Sequence, residues 1–376
     1  MTPAARHAAA IEVIDAIRGG ARVAPALKAW GRANRFAGSG DRRAIGDLVH
    51  DVLRHWWSSA GMGGGEHGRA RVLGLVRLTG TDPDTIFTGE GHAPAPLTPE
   101  ERRVEGEPTL DLPHVAQAEL ADPDMLDRAL KSRAPVDLRV NLARTDRAAA
   151  RAALAADGIE TECVPTVATA LRVTGGARAV ARSDAYLSGL VELQDAASQA
   201  AALFADPRPG ERILDYCAGG GGKTLALAAL SGGPVTAHDI APQRMRDLPD
   251  RARRAGAQVS MTEAPRPADL VFADAPCSGS GSWRRDPEGK ITLDAARLAA
   301  LHAAQAEVLD AAAALVAPGG KLIYATCSVL PSENDEQVAA FLARTPGWAC
   351  RERVQMLPPD PGDGFFAAWL ERPAER

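Results

Sequence analysis

The sequence predicts an α/β protein whose C-terminal half, from about residue 191, forms a doubly wound parallel sheet. Segments typical of strands and of helices alternate along this half. A glycine-rich stretch, "DYCAGGGG", directly follows the first of these strands, and polar or sulfur-containing residues follow three others. Because ligands bind at the carboxyl ends of parallel strands, we expect a ligand site at that edge of the sheet.

The first 130 residues are predicted to form a helical domain. "AARHAAAIEVIDAIRGG" and "DRRAIGDLVHDVLRHWWSSA" place apolar residues at intervals of three and four, which is typical of amphipathic helices. The later stretch "GTDPDTIFTGEGHAPAPLTPEERRVEGEP" is interrupted by glycine, proline and acidic residues. We therefore expect a loop-rich connection at the end of this domain.

A small α+β module is predicted over residues 131–190. "VDLRVNL" alternates like a strand, "RAAARAALAADG" is typical of a helix that ends at Gly158, and "IETECVP" and "ALRVT" are typical of strands. A third domain then occupies residues 191–376. Three domains suit a chain of 376 residues, which is long for a single core.

The third domain has a regular order of predicted elements. A helix, "DAASQAAALFA", precedes the strand "RILDYCA". The strands "PVTAHDI", "VSMTEA", "DLVFADAP" and "KLIYATCSV" follow, with a helix before each of them except "DLVFADAP", which comes directly after "VSMTEA". A long Ala/Leu-rich helix is predicted from about 293 to 316, and two last strands lie around "CRERVQML" and "FFAAWLE". The stretches "DYCAGGGG", "HDI", "DAPCSG" and "TCS" therefore meet at one edge of the sheet.

Composition excludes several classes of protein. The formal charge of −5 argues against a protein held on nucleic acid by bulk electrostatics, although a local basic surface remains possible. The five cysteines are scattered without a C-x-x-C pair, so we expect no metal site. An odd cysteine count without a signal peptide predicts reduced thiols in the cytoplasm, and no apolar run approaches the roughly 20 residues of a membrane span.

The glycine loop predicts a nucleotide-like ligand other than a triphosphate. A phosphate-binding P-loop requires glycine where this chain has Cys217. The glycines from Gly219 to Gly222 let the backbone approach a ligand closely, and Asp239 lies about 20 residues later, where a ribose-binding carboxylate occurs in dinucleotide folds. This combination fits NAD and the nucleoside part of S-adenosylmethionine equally well.

Two cysteines are predicted at the ligand edge. A single cysteine is more often a buried apolar residue, but Cys277 in "DAPCSGSG" and Cys327 in "YATCSV" lie at the same edge. A thiolate can attack an electrophilic carbon, provided that a neighbour lowers the thiol pKa. Asp274 is not that neighbour, because a carboxylate raises the pKa of a nearby thiol. Cys163 and Cys350 are predicted to be structural.

Five motifs in this order resemble the Nol/Nop/Sun family of RNA cytosine-5 methyltransferases, in particular its bacterial ribosomal RNA branch: "DYCAGGGGKT", "AHDIAPQRM", "DAPCSGSGSWRRDPE", "YATCSVLPSENDEQV" and "GDGFFAAWL". The resemblance implies a Rossmann-like class I methyltransferase sheet over residues 191–376. It also implies a NusB-like helical domain over residues 1–130 and an RNA-binding role for residues 131–190. The family commonly has C-A-A-P-G-G-K-T where this chain has "CAGGGGKT", so its loop is more flexible but loses no donor.

The resemblance also implies roles for individual residues. Cys327 would add to C6 of the cytosine, Asp274 would hold the base and support its protonation, and Cys277 would assist release of the product. S-adenosylmethionine would be the methyl donor, with Asp239 on its ribose and Glu263, in the third strand, facing its adenine. The loop that would hold the donor comprises Cys217, Ala218, Gly219, Gly220, Gly221, Gly222 and Lys223.

The predicted partner is RNA, and the resemblance implies that it is ribosomal RNA, the usual substrate of the family in bacteria. We expect the protein to act as a monomer and to bind neither a metal ion nor a membrane. Arg284 and Arg285 follow the "DAPC" motif and are candidates to meet the RNA backbone, together with Arg42, Arg43 and Arg139. An ordinary solvated surface is the alternative for these residues, and His238 is predicted to be a strand residue.

Four other functions remain open at this point. A transfer RNA cytosine-5 methyltransferase would share the chemistry. A DNA methyltransferase would use Cys277 as the nucleophile, but the helical domain and the T-C-S motif argue against it. A ribosome-assembly factor without catalysis would keep the fold and bind RNA, and an NAD-dependent oxidoreductase would use the glycine loop for nicotinamide binding.

Overall fold

The structure, a computed structural model, describes residues 1–374. By the density of their internal contacts these residues divide into two compact units. One unit comprises Met1–Ser132 and Trp283–Leu293, and the other comprises Arg133–Ser282 and the residues from Asp294 onward. The three-domain division made from the sequence stays a prediction, and its last two residues lie outside the described part.

The first unit is helical, as the spacing of apolar residues predicts. Its first helix begins after Thr2, whose side chain accepts a hydrogen bond from the Ala5 backbone N–H at 3.2 Å. The stretch predicted as a second amphipathic helix forms two helices that meet at His55. The helices of this part are α1 (Pro3–Arg18), α2 (Val23–Ala33), α3 (Ser39–Arg54), α4 (Trp56–Gly63), α5 (Gly68–Leu78), α6 (Pro99–Arg102), α7 (His114–Gln117) and α8 (Pro123–Lys131).

The second unit begins with a small antiparallel sheet in the order β2-β3-β1-β4. Leu138 of the central strand pairs with Leu171 on one side and with Leu193 on the other. The fourth strand, which contains Leu193, belongs to this sheet although it lies just beyond residue 190, the predicted end of the small module. The elements are β1 (Val136–Val140), α9 (Arg147–Ala156), β2 (Glu160–Cys163), β3 (Ala170–Gly175), α10 (Asp184–Leu187) and β4 (Val191–Leu193).

A seven-stranded sheet of order β10-β11-β9-β8-β5-β6-β7 forms the rest of this unit. Its strands β9, β8, β5, β6 and β7 are parallel, which confirms the predicted Rossmann-like sheet. The last strand, β11, runs antiparallel to both of its neighbours, β10 and β9. The short link between β10 and β11 cannot make a parallel crossover. The strands are β5 (Ile213–Asp215), β6 (Val235–Ala237), β7 (Val259–Met261), β8 (Ala268–Asp274), β9 (Val316–Thr326), β10 (Ala349–Leu357) and β11 (Asp360–Glu371).

Helices connect these strands, and apolar clusters lie between the helices and the sheet. The long Ala/Leu-rich helix predicted at 293–316 is α15. One short helix, α14, belongs to the first unit because its segment packs there. The helices are α11 (Ala196–Phe204), α12 (Gly222–Ser231), α13 (Leu248–Ala255), α14 (Pro287–Ile291), α15 (Ala295–Ala314) and α16 (Asp335–Arg344). Within residues 1–374, none of the helices combines the length and the apolar character that a membrane crossing requires.

Candidate active site

A cavity of about 850 Å³ opens at the carboxyl edge of the parallel strands. Residues that follow four of these strands line it, which is the convergence that the sequence predicts. Of the predicted site residues, the structure brings ten together in this cavity: Cys217, Ala218, Gly219, Gly220, Gly222, Lys223, Asp239, Asp274, Cys277 and Cys327.

Gly221 is predicted in the site but is not among the lining residues. It is the residue before α12, and its φ of +80° lies in the left-handed region. A Cβ atom built there would lie 2.2 Å from Cδ1 of Leu248, a fully buried side chain. Gly221 therefore turns the chain from the loop into the helix rather than facing the cavity.

Asp239 joins the glycine loop to the end of β6. One carboxylate oxygen accepts a hydrogen bond from the Gly219 backbone N–H and the other accepts one from the Ala241 N–H, both at 2.9 Å. Arg244 approaches the same carboxylate at 3.4 Å. This carboxylate lines the cavity and is held rigidly, which is what a hydroxyl-binding group requires.

Glu263 lies beyond the end of β7, where its side chain is exposed. It is not among the residues that line the cavity, and the third strand is shorter than the sequence suggests. Its predicted contact with an adenine therefore stays a prediction without support from this geometry.

An ion pair lies inside the cavity. Lys223 Nζ donates to Asp274 Oδ2 at 2.7 Å and lies 4.8 Å from the centre of the Phe365 ring. Burial alone would lower the pKa of Lys223, but the charge and hydrogen bond of Asp274 outweigh it and raise that pKa. Lys223 is therefore a fixed positive charge at neutral pH.

A second carboxylate lies beneath this pair. Asp215, at the end of β5, is buried and accepts a hydrogen bond from the Thr224 hydroxyl at 2.6 Å, while its other oxygen has no hydrogen-bond partner. Burial raises the pKa of Asp215 to about 7. The end of β5 is thus a site where a proton is easily held near neutral pH.

The two cysteines predicted at this edge contact each other. Their sulfur atoms lie 3.4 Å apart at the wall of the cavity. The hydrogen bond between the two sulfurs holds the pKa of Cys327 below its usual value and raises the pKa of Cys277. The Lys223 charge acts in the same direction on Cys327, and Asp274 opposes it. Cys327 is therefore the better nucleophile of the two.

The other three cysteines differ in their surroundings. Cys217 lines the cavity, but burial raises its pKa, so it is a poor nucleophile. Cys163 packs against the core of the small sheet, and Cys350 packs at the edge of the core of the large sheet. All five cysteines are free thiols. Within residues 1–374, His, Cys, Asp and Glu side chains form no group of three or more that could hold a metal ion.

Two of the arginines predicted to meet RNA are buried instead. Arg139 donates to the backbone carbonyl of Gly222 at 2.6 Å and to the side chain of Gln194, so it supports the glycine loop from behind. Arg284 is only 2% exposed, packed within the helical unit. Both predictions are wrong, because partners distant in sequence cover these side chains. The roles of the exposed Arg42, Arg43 and Arg285 stay predictions.

Several residues of the cavity were not singled out from the sequence: Gln194, Tyr216, Ile240, Arg244 and Glu307. Ile240 is 95% exposed although it is a large apolar residue. It directly follows Asp239, and an apolar residue after a strand-end carboxylate is a signal that could have identified it. His238, predicted as a strand residue, follows β6 and also lines the cavity, where its ring contacts Tyr216.

Sequence comparison finds two domains of known families in this chain. Residues 202–371 match the domain described as 16S rRNA methyltransferase RsmB/F, and residues 124–180 match the RsmF/B-like ferredoxin-like domain. These matches confirm the resemblance to the Nol/Nop/Sun family over residues 124–180 and 202–371. Among curated members, ribosomal RNA small subunit methyltransferase B of Klebsiella pneumoniae is 38% identical over 261 residues, 64% of this chain. That of Salmonella typhi is 42% identical over 204 residues, 49% of this chain. The chain spans 60% of the Klebsiella relative's length and 48% of the Salmonella relative's.

Solved structures share the fold of this chain. The crystal structure of PH0851 covers 99% of both chains with a TM-score of 0.76 and 23% identity. NSun6 from Pyrococcus horikoshii, solved with SFG, covers 69% of this chain and 97% of its own, with a TM-score of 0.62 and 16% identity. At these identities the likeness establishes the fold alone.

Proposed function

We propose that this protein transfers a methyl group from S-adenosylmethionine to C5 of a cytosine in ribosomal RNA, through a covalent bond between Cys327 and C6. The observation that carries the proposal is the contact between Cys277 and Cys327 in a cavity that the glycine loop also lines. Ribosomal RNA is proposed because the curated relatives are named for it.

The residues present fit S-adenosylmethionine. The glycine loop leaves room for a ligand against its backbone, and Asp239 offers a buried carboxylate for the ribose hydroxyls. Ile240 offers an exposed apolar face for the adenine. A cavity of about 850 Å³ is within the range of small-molecule sites. When bound, S-adenosylmethionine supplies an electrophilic methyl group on a sulfonium.

The chemistry requires two different thiols. Cytosine C5 is a poor nucleophile, so Cys327 first forms a bond to C6, which moves an electron pair onto C5. Asp274, paired with Lys223, holds the N3 and amino edge of the base and supports its protonation. After C5 has accepted the methyl group, its proton must leave and the bond between Cys327 and C6 must break. Cys277 lies against the Cys327 sulfur and assists this release.

Substrate access follows from the same geometry. A base paired within a duplex cannot bring C6 against a sulfur atom at the wall of a cavity, so the target nucleotide must be unpaired or flipped out. The proposal therefore predicts that unmodified RNA with an accessible cytosine is a better substrate than a perfect duplex.

The test is methyl transfer from labelled S-adenosylmethionine to unmodified ribosomal RNA, followed by mapping of the labelled base. We expect label on cytosine C5, no label with Cys327→Ala, and a trapped protein–RNA adduct with Cys277→Ala. Cys350→Ala is the matched control, because this cysteine lies outside the cavity and should change neither result.

Each other outcome contradicts part of the proposal. An adduct trapped by Cys327→Ala, with no transfer by Cys277→Ala, reverses the two roles and would match the DNA methyltransferase arrangement. Label on transfer RNA alone replaces the substrate. No transfer to any RNA, with RNA binding intact, favours an assembly factor without catalysis, and binding of NAD in place of S-adenosylmethionine favours an oxidoreductase.

A further inference from the structure

A buried carboxylate connects the two cysteine loops. Glu333 is fully buried and accepts four hydrogen bonds: from the Ser278 N–H at 2.8 Å, from the Ser278 hydroxyl at 2.5 Å, from the Ser328 hydroxyl at 2.5 Å and from Gln305 Nε2 at 3.0 Å. Ser278 directly follows Cys277, and Ser328 directly follows Cys327. One side chain therefore binds the residue next to each sulfur.

Strand pairing alone does not set the distance between the sulfurs. The last register pair of β8 and β9 is Asp274 with Ala325, and both cysteines lie beyond it. Their loops are joined by hydrogen bonds outside the ladder, among them Ser280 with the Ser328 hydroxyl at 2.9 Å and the Gly281 N–H with the Cys327 carbonyl at 3.0 Å. Glu333 alone accepts four hydrogen bonds, whereas a residue paired in a β-sheet supplies only one backbone donor and one acceptor.

Charge gives no reason for a carboxylate here. The negative charge of Glu333 raises the pKa of both thiols. Asp274 also raises the pKa of Cys327, whereas Lys223 lowers it. A group that disfavours the thiolate is useful at this position only through its geometry. Two carboxylate oxygens accept four hydrogen bonds without donating any, which suits a site where four donors converge.

We propose that Glu333 is a positioning residue: by holding Ser278 and Ser328 together it keeps the Cys277 and Cys327 sulfurs in contact. The value of this contact for catalysis rests on the proposed function. The contact itself can be measured without methyl transfer, so the two proposals fail separately.

The experiment measures oxidative cross-linking of the two thiols. Diamide removes two electrons and two protons from a pair of adjacent thiols, which forms the disulfide and leaves a hydrazine. The rate of the Cys277–Cys327 cross-link, followed by mass spectrometry, therefore reports the proximity of the sulfurs. The variants are Glu333→Gln and Glu333→Ala, with Glu336→Ala as the control for loss of a nearby exposed carboxylate.

The comparison of Gln with Ala separates geometry from charge. Both variants lack the charge, but the amide of Glu333→Gln can still accept from the Ser278 N–H and donate to the two hydroxyls. We expect Glu333→Gln and Glu336→Ala to cross-link within about twofold of the wild type, and Glu333→Ala to cross-link about tenfold more slowly, since several hydrogen bonds to one anchor are lost. The rate of Cys327 alkylation by iodoacetamide between pH 6 and 10 should be slower in Glu333→Ala than in Glu333→Gln at every pH below the plateau.

The inference is overturned if folded Glu333→Ala cross-links at the wild-type rate, or if Glu336→Ala slows the reaction equally. If Glu333→Ala does not fold, Ser328→Ala removes one of the four hydrogen bonds, and an unchanged cross-linking rate in that variant also overturns it. Wild-type protein that shows the expected cross-linking pattern but transfers no methyl group contradicts the proposed function and leaves the role of Glu333 in place.

Discussion

The substitution Gly221→Ala tests whether the left-handed turn before α12 shapes the glycine loop. Gly221 and Gly232 flank the same helix, and both have positive φ, at +80° and +66°. A Cβ atom at Gly232 would meet nothing within 4 Å, whereas one at Gly221 would meet three side-chain atoms of Leu248 between 2.2 and 3.2 Å. Gly232→Ala is therefore a matched control for backbone strain without a collision.

The expected loss of stability is the sum of two costs, the backbone strain of a left-handed alanine and the overpacking against Leu248. A left-handed alanine costs about 1–2 kcal/mol at either position. Leu248 is fully buried in a cluster with Met245 and Leu225, so it cannot move away freely, and overpacking adds about 1–3 kcal/mol at Gly221 alone. For a domain of 150–250 residues the extra cost corresponds to a melting temperature lower by roughly 2–12 °C.

Thermal unfolding of the two variants and titration with S-adenosylmethionine provide the assay. We expect Gly221→Ala to melt below Gly232→Ala and to bind S-adenosylmethionine more weakly, because the turn carries the loop that lines the cavity. Equal melting temperatures and equal affinities for the two variants would refute this reasoning, since they would mean that Leu248 yields without cost or that the turn does not control the loop.

Three further predictions concern two charged residues that line the cavity, Lys223 and Asp239, and the buried Asp215 at the end of β5. Lys223→Met should lower methyl transfer about 100-fold or more at unchanged fold, measured as kcat, because Asp274 loses its partner. Asp215 has a pKa of about 7 in the fold and of about 4 in an unfolded chain. The stability that its neutral form contributes is therefore complete below about pH 4 and is lost as pH rises through 7, so the melting temperature should fall across that range, and Asp215→Asn should reduce this slope. Asp239→Asn should weaken S-adenosylmethionine binding by about tenfold in calorimetry, since one oxygen acceptor is lost, whereas Asp247→Asn, at an exposed carboxylate, should not change it.

The parallel sheet and the position of the cavity could be predicted because both follow from local patterns. Alternation of strands and helices fixes the parallel pairing, and residues that follow parallel strands meet at one edge. The antiparallel direction of β11, against both β10 and β9, was not predicted, because it depends on the length of one connection rather than on periodicity.

The burial of Arg139 and Arg284 could not be read from local sequence. Arginine is mostly exposed in proteins, and an arginine in a polar stretch resembles a surface residue until its partners are known. The carbonyl that Arg139 contacts belongs to Gly222, 83 residues away. The carbonyl of Arg284 accepts from Arg54, 230 residues away. Only the tertiary fold brings such partners together.

The contact between Cys277 and Cys327 also depends on partners that are distant in sequence. The sequence places Cys277 and Cys327 at the ends of neighbouring strands, which predicts that both lie near the cavity, and the register of β8 and β9 brings their loops side by side. It does not predict which sulfur donates to the other. That depends on the charges around the pair: Lys223 favours negative charge on Cys327, whereas Asp274 and Glu333 oppose it. Two thiols in contact share one hydrogen bond, so a neighbour that stabilises one thiolate necessarily makes the other thiol the donor. The proposed division of roles between a nucleophile and an assisting thiol therefore depends on the surroundings of the pair and not on either motif alone.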